Sequence, residues 1–154
     1  MTFKVLIVED DPVTAKVNLV SLEKMGFSVG VVNQGDQALA AMKSHQPDVV
    51  VLDLELPGQN GVQILQNMQL DPELRNVIVI AHTAHIDADD DLGFAYFAQY
   101  QRNKQEEPLM IGKVQKKEDS WRNVRFAIAK MVGEKFGSLP KPLADWVETN
   151  PFRD

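Results

Sequence analysis

Two short apolar runs in this chain stop abruptly at carboxylates. Val5-Leu6-Ile7-Val8 leads into Glu9-Asp10-Asp11, and Val49-Val50-Val51-Leu52 leads into Asp53. Runs this apolar and β-branched read as strands buried on both faces of a parallel sheet. A carboxylate just after such a strand lies at its carboxyl end, where open α/β sheets bind their ligands. Two neighbouring strands ending this way crowd three or more carboxylates into one pocket. Like charges that close repel unless a cation sits between them. An all-oxygen, partly hydrated set suits a hard divalent ion, and Mg²⁺ is the expected one. Asp11 suits a helix start better than a direct ligand, because the helix dipole favours an anion there.

The elements that must hold these residues follow from the rest of the chain. Strand patterns recur at Lys4–Val8, Ser28–Val32, Val49–Asp53, Val77–His82 and Leu109–Gly112. Helical patterns lie between them. Pro12 opens the first, where its missing N–H costs nothing, and Gly26 closes it. Gly35–Ser44 carries Ala38, Leu39, Ala41 and Met42; a third helix carries Val62, Ile64, Leu65 and Met68. The last shows Trp121, Val124, Ile128 and Met131 on one face, with Asp119 or Ser120 as its N-cap. Between them, Asp87, Asp89, Asp90 and Asp91 could open a helix with Leu92, Phe94, Phe97 and Tyr100 inside. This alternation predicts a doubly wound, five-stranded parallel α/β sheet with helices on both faces.

Composition narrows the class. The chain has 154 residues, 25% charged and 44% hydrophobic, which suits one globular domain. Its formal charge of −6 argues against nucleic acid or an anionic membrane as the main partner. No cysteine is present, which removes disulfides and thiolate metal sites and fits a reducing cytoplasm. No apolar run approaches the ~20 residues of a bilayer span, and no signal peptide is expected.

Three segments together resemble the receiver domains of two-component response regulators: "VLIVEDDP", "VVVLDLELPGQNG" and "VIVIAHTAH". The resemblance covers about residues 3–136 and is strongest up to Ala84. It implies the flavodoxin-like receiver fold, with a domain over 1–136, an atypical stretch at 86–117 and a tail or linker at 137–154. It also implies roles. Asp53 resembles the phosphoacceptor, loaded from a phosphohistidine on a histidine kinase or phosphotransfer protein. Glu9 and Asp10 resemble the Mg²⁺-holding pair; with Asp53, the backbone carbonyl of Glu55 would complete the protein ligands. Thr83, 30 residues after Asp53, resembles the switch hydroxyl.

The family also has a lysine at the end of its fifth strand, normally followed by proline. Lys113 is the expected equivalent, with Lys116 and Lys104 as rivals. Here Val114 stands where the proline would be, and Met110 where an aromatic switch residue is common. The expected partners are the kinase or phosphotransfer protein and a downstream protein. A homodimer through the face of the fourth helix, fifth strand and fifth helix is a further option. No enzyme activity is expected beyond Mg²⁺-dependent self-phosphorylation from small donors and self-dephosphorylation. The length leaves no room for a separate DNA-binding domain.

Other readings compete. A degenerate receiver could act as a constitutive protein-binding module. A phosphohydrolase is a weaker alternative: Asp53-Leu54-Glu55 faintly resembles the haloacid-dehalogenase pattern, but with Glu55 where an aspartate acid belongs. His82 and His85 flank Thr83, yet no further His or Cys nearby makes them a metal pair. Phe94, Tyr96, Phe97 and Tyr100 read as packing. Trp146 and Phe152 in the tail either anchor a partner or pack back on the domain.

Overall fold

A computed structural model of the chain describes residues 2–56, 61–84 and 109–150. Five parallel strands form one sheet in the order β2-β1-β3-β4-β5. They are β1 (Lys4–Val8), β2 (Ser28–Val32), β3 (Val49–Leu52), β4 (Ile78–Thr83) and β5 (Ile111–Gln115). Among the described residues five helices accompany them: α1 (Pro12–Lys24), α2 (Ala38–His45), α3 (Gly61–Leu70), α4 (Trp121–Phe136) and α5 (Lys141–Thr149). A 3₁₀ turn at Gly35–Gln37 leads into α2, so the helix expected from Gly35 begins three residues later.

The pleat sorts the strand side chains into two cores, because successive residues point to opposite faces. Leu6, Val8, Val50, Leu52, Val79 and Ala81 face Met42, Ile64, Leu65 and Met68. Val5, Ile7, Val49, Val51, Ile78, Ile80 and Val114 face Leu22, Val124, Ile128 and Val132. β1 and β3 are buried by neighbours on both sides, which is why their sequences are almost continuously apolar.

Asp11 caps α1, as its position suggested. Its Oδ2 accepts the N–H of Thr14 at 3.0 Å, and Pro12 occupies the first turn. Gly26 leaves that helix at φ +95°, a left-handed conformation that disfavours a side chain.

Two expectations need correction. β5 runs over Ile111–Gln115, not Leu109–Gly112. Its extent is set by pairing with β4, from Val79 opposite Ile111 to Thr83 opposite Gln115. As an edge strand it tolerates exposed Lys113 and Gln115, which the apolar run read alone could not reveal.

The second correction concerns the tail. Residues 141–149 form α5, which packs against α4. Pro142 lies in its first turn, where proline is tolerated. Leu143 is fully buried, with Trp146 and Val147 beside it in the core formed with Met25 and Phe27. Trp146 packs against Phe126 in a tilted pair, ring centroids 4.8 Å apart, and so packs back on the domain. Arg125 lies between two indoles, 4.6 Å from Trp121 and 4.9 Å from Trp146. Its guanidinium also donates to Ser21 Oγ at 2.7 Å, tying α4 to α1.

The candidate helix over Asp87–Tyr100, along with His85, Tyr96, Lys104 and Phe152, lies outside the described residues. Among the described helices, none is long and apolar enough to cross a membrane.

Candidate functional site

The carboxyl ends of β1 and β3 lie side by side, with Val8 opposite Leu52. The next residue of each chain segment carries the acid. The backbone N–H of Asp53 donates to Val8 O at 3.0 Å, and that of Glu9 to Val32 O at 3.0 Å. These bonds fix both acids at the sheet rim. Glu9 and Asp53 are almost fully buried, and Asp10 is exposed. Oxygens of Glu9, Asp10 and Asp53 all lie within 4.8 Å of one another. The close grouping of these three acids thus matches the geometry expected from their strand-end positions.

Asp53 is held from two sides. Its Oδ1 accepts the N–H of Glu55 at 2.9 Å, and its Oδ2 accepts the Lys116 ammonium at 3.0 Å. Lys116 also reaches Glu9 Oε1 at 2.5 Å. Behind Asp53, α3 begins with Gly61, whose N–H donates to Leu54 O at 3.1 Å. A Cβ on Gly61 would lie 2.5 Å from Leu54 Cα and 2.9 Å from Asp53 O. Only glycine allows that close approach, so the loop bearing Asp53 is seated against a helix start.

The lysine expectation changes. Lys113 sits within β5 opposite Ala81, exposed and two pairs short of the strand end. Lys116 is the first residue past the strand, and among the described residues it is the lysine that enters the pocket. The rule of a lysine at the end of the fifth strand therefore points to Lys116 once β5 has its observed end. Lys117 follows it, and no cis peptide occurs among the described residues.

Thr83 ends β4, buried, and its carbonyl accepts the N–H of Lys116 at 2.8 Å. The switch-hydroxyl candidate and the lysine are thus joined through the backbone. On the opposite face of β4, buried His82 places Nε2 2.8 Å from Ser120 Oγ. Ser120 in turn donates to Lys117 O at 3.0 Å. It occupies the N-cap position of α4, as expected, but its hydroxyl does not cap the helix. The pairing of His82 with Ser120 was not anticipated. Its one sequence signal is a polar residue continuing the inward column Ile78, Ile80.

Electrostatics follow burial. Desolvation raises the pKa of Glu9 well above the usual carboxylate range, with the Lys116 hydrogen bond opposing it and repulsion from Asp53 adding to it. Burial pushes the Lys116 ammonium down, but its bonds to Glu9 and Asp53 outweigh this and the net shift is upward. Burial, helped by Lys116, lowers His82 to about 4, so its imidazole is neutral at pH 7. Two buried carboxylates already share one ammonium, and a third stands at the rim. This oxygen-only donor set fits a hard divalent cation.

The family model for the response regulator receiver domain matches residues 5–99. Among curated proteins, the DNA-binding response regulator MtrA of Mycolicibacterium smegmatis is 37% identical over 87 residues, 56% of this chain and 38% of MtrA. The polar-differentiation response regulator DivK of Brucella ovis is 34% identical over 84 residues, 54% of this chain and 68% of DivK. The chain thus spans well under half the length of its MtrA relatives. Among solved structures, the chemotaxis response regulator CheY4 of Vibrio cholerae aligns with TM-score 0.70 at 15% identity, covering 84% of this chain and 98% of CheY4. The receiver domain of a histidine kinase from Syntrophus aciditrophicus gives TM-score 0.71 at 20% identity, covering 89% and 95%. The sheet order, the paired acidic strand ends and the match over most of the sheet agree: the chain belongs to the response regulator receiver domain family of two-component signalling.

Proposed function

We propose that this chain is a phosphorylation-controlled switch in which Asp53 accepts a phosphoryl group from a phosphohistidine of a histidine kinase or phosphotransfer protein. One observation carries the reading: Lys116 bridges the two buried carboxylates of a three-carboxylate pocket. An Asp53 oxygen attacks phosphorus as the P–N bond to the donor imidazole breaks. The electron pair stays on that nitrogen, which takes up a proton. Such transfers need alignment and charge neutralisation more than covalent help.

Held by Glu9, Asp10, Asp53 and the Glu55 carbonyl, Mg²⁺ would supply charge to the transferring oxygens. Lys116, bonded to Asp53 and Glu9, would neutralise a phosphoryl oxygen. Thr83, joined to Lys116 through the backbone, is the hydroxyl that would turn towards the phosphoryl group and shift the β4–β5 face between two populations. Output would pass by protein contact. The rival reading as a degenerate binding module drew on an altered lysine region, and Lys116 beside Asp53 weakens that motive.

The test is labelling with acetyl phosphate and Mg²⁺. Wild type should take label that is lost in Asp53→Ala; equal labelling of both proteins would sink the assignment.

A further inference from the structure

We propose that His82 is a positioning residue for the phosphoryl-transfer site, holding the loop from Lys116 to Ser120 through its bond to Ser120. The proposal rests on the reading of Asp53 as phosphoacceptor. Ser120 is a serine in an unusual employment. Serine at an N-cap normally accepts an N–H from the first helical turn. Ser120 makes no such bond. Its single proton goes to Lys117 O at 3.0 Å, so towards His82 it can only accept. His82 is therefore the donor through Nε2–H, which the neutral imidazole in that tautomer supplies. Its low pKa, caused chiefly by burial, keeps that form at pH 7.

The position of this bond gives it a role. Lys116 is fixed at its own N–H by Thr83 O. Four residues later the same loop is fixed by His82, the neighbour of Thr83. The loop is thus pinned at both ends to two consecutive residues of β4, and its first side chain spans Glu9 and Asp53. No proline follows Lys116 to stiffen it. The imidazole touches neither carboxylate through a hydrogen bond; it acts through the loop. Cutting the tether should let the ammonium wander from Asp53, and small misplacements at a transfer site are costly in rate.

The test compares wild type, His82→Leu, His82→Gln, Ser120→Ala and the double variant His82→Leu/Ser120→Ala. Phosphorylation by acetyl phosphate is followed as a function of donor and Mg²⁺ concentration. Ser120→Ala and His82→Leu should each slow transfer at saturating donor by about tenfold. Half-saturation by Mg²⁺ should stay within about twofold, because neither change removes a carboxylate. His82→Gln, whose amide can donate to Ser120, should recover most of the rate. The double variant should be no slower than the worse single one, since both cut one tether. Wild-type rates in the folded variants, or losses that multiply, would overturn the proposal. Ser120→Ala removes only one hydroxyl and keeps the test alive if His82→Leu does not fold.

If wild type takes no label at Asp53, the parent reading fails, and the tether is judged by NMR. The ammonium resonance of Lys116, assigned by its loss in Lys116→Arg, should vanish or shift in Ser120→Ala. An unchanged resonance overturns the tether.

Discussion

Lys116 and Asp53, 63 residues apart in the chain, meet at 3.0 Å. The contact joins the end of the fifth strand to the end of the third across the pocket rim. Of the two candidate lysines among the described residues, Lys113 and Lys116, it is Lys116 that stands beside the candidate phosphoacceptor.

Lys116→Ala should therefore slow labelling of Asp53 by acetyl phosphate by about 10²-fold, as loss of a charge-stabilising group does elsewhere. Lys113→Ala, on the exposed edge of β5, should stay within about twofold of wild type. Similar losses in both variants would refute the assignment.

Mg²⁺ should stabilise the folded chain through the three carboxylates. At 100 times its Kd the gain is about 2.7 kcal/mol, removed again by chelation. Asp10→Asn should lower the affinity at least about tenfold while leaving the metal-free stability nearly unchanged, since Asp10 is exposed. Calorimetric titration and urea midpoints measure the two quantities. An Asp10→Asn protein with wild-type affinity would remove Asp10 from the ligand set.

Acid should expose the buried imidazole. His82 is lowered to about 4 in the folded chain, against about 6.5 when unfolded. Its contribution to stability is thus full above pH 6.5 and is lost as pH falls through 4. The difference amounts to about 3 kcal/mol. Glu9, raised in the folded chain, works in the opposite sense: its contribution is present at low pH and fades as pH rises. Urea unfolding at pH 7 and pH 4, with His82→Leu subtracted, isolates the imidazole. A variant as acid-sensitive as wild type would contradict this.

Gly61→Ala should destabilise the chain by a few kcal/mol, on the order of other overpacking changes, and should slow labelling. The added methyl would strike the backbone at Leu54 and Asp53 directly. Stability and labelling both at wild-type level would show that the seat of Asp53 is looser than this contact implies.

The C-terminal helix should belong to the folding unit. Leu143 is fully buried, so Leu143→Ala should cost about 2–5 kcal/mol in urea unfolding. A loss below about 0.5 kcal/mol, the range of surface changes, would mean that α5 is peripheral.

Much of this was legible in the residues because burial on both faces leaves a plain mark. β1 and β3 are uninterrupted apolar runs, and their ends announced Glu9, Asp10 and Asp53. The edge strand leaves no such mark: its limits come from the partner strand, and Lys116 was passed over for Lys113 because β5 was placed too early. The last helix was hidden by Pro140 and Pro142, though Leu143, Trp146 and Val147 carry helical spacing. The bond between His82 and Ser120 spans 38 residues and depends on side-chain direction, which no local pattern encodes.

The guanidinium of Arg125 between Trp121 and Trp146 has an optical consequence. The chain contains only these two tryptophans. Its tryptophan fluorescence thus comes from one place, the start of the helix that follows the lysine loop. A rearrangement of that loop should change the tryptophan emission, whereas a movement confined to the far edge at β2 should leave it unchanged.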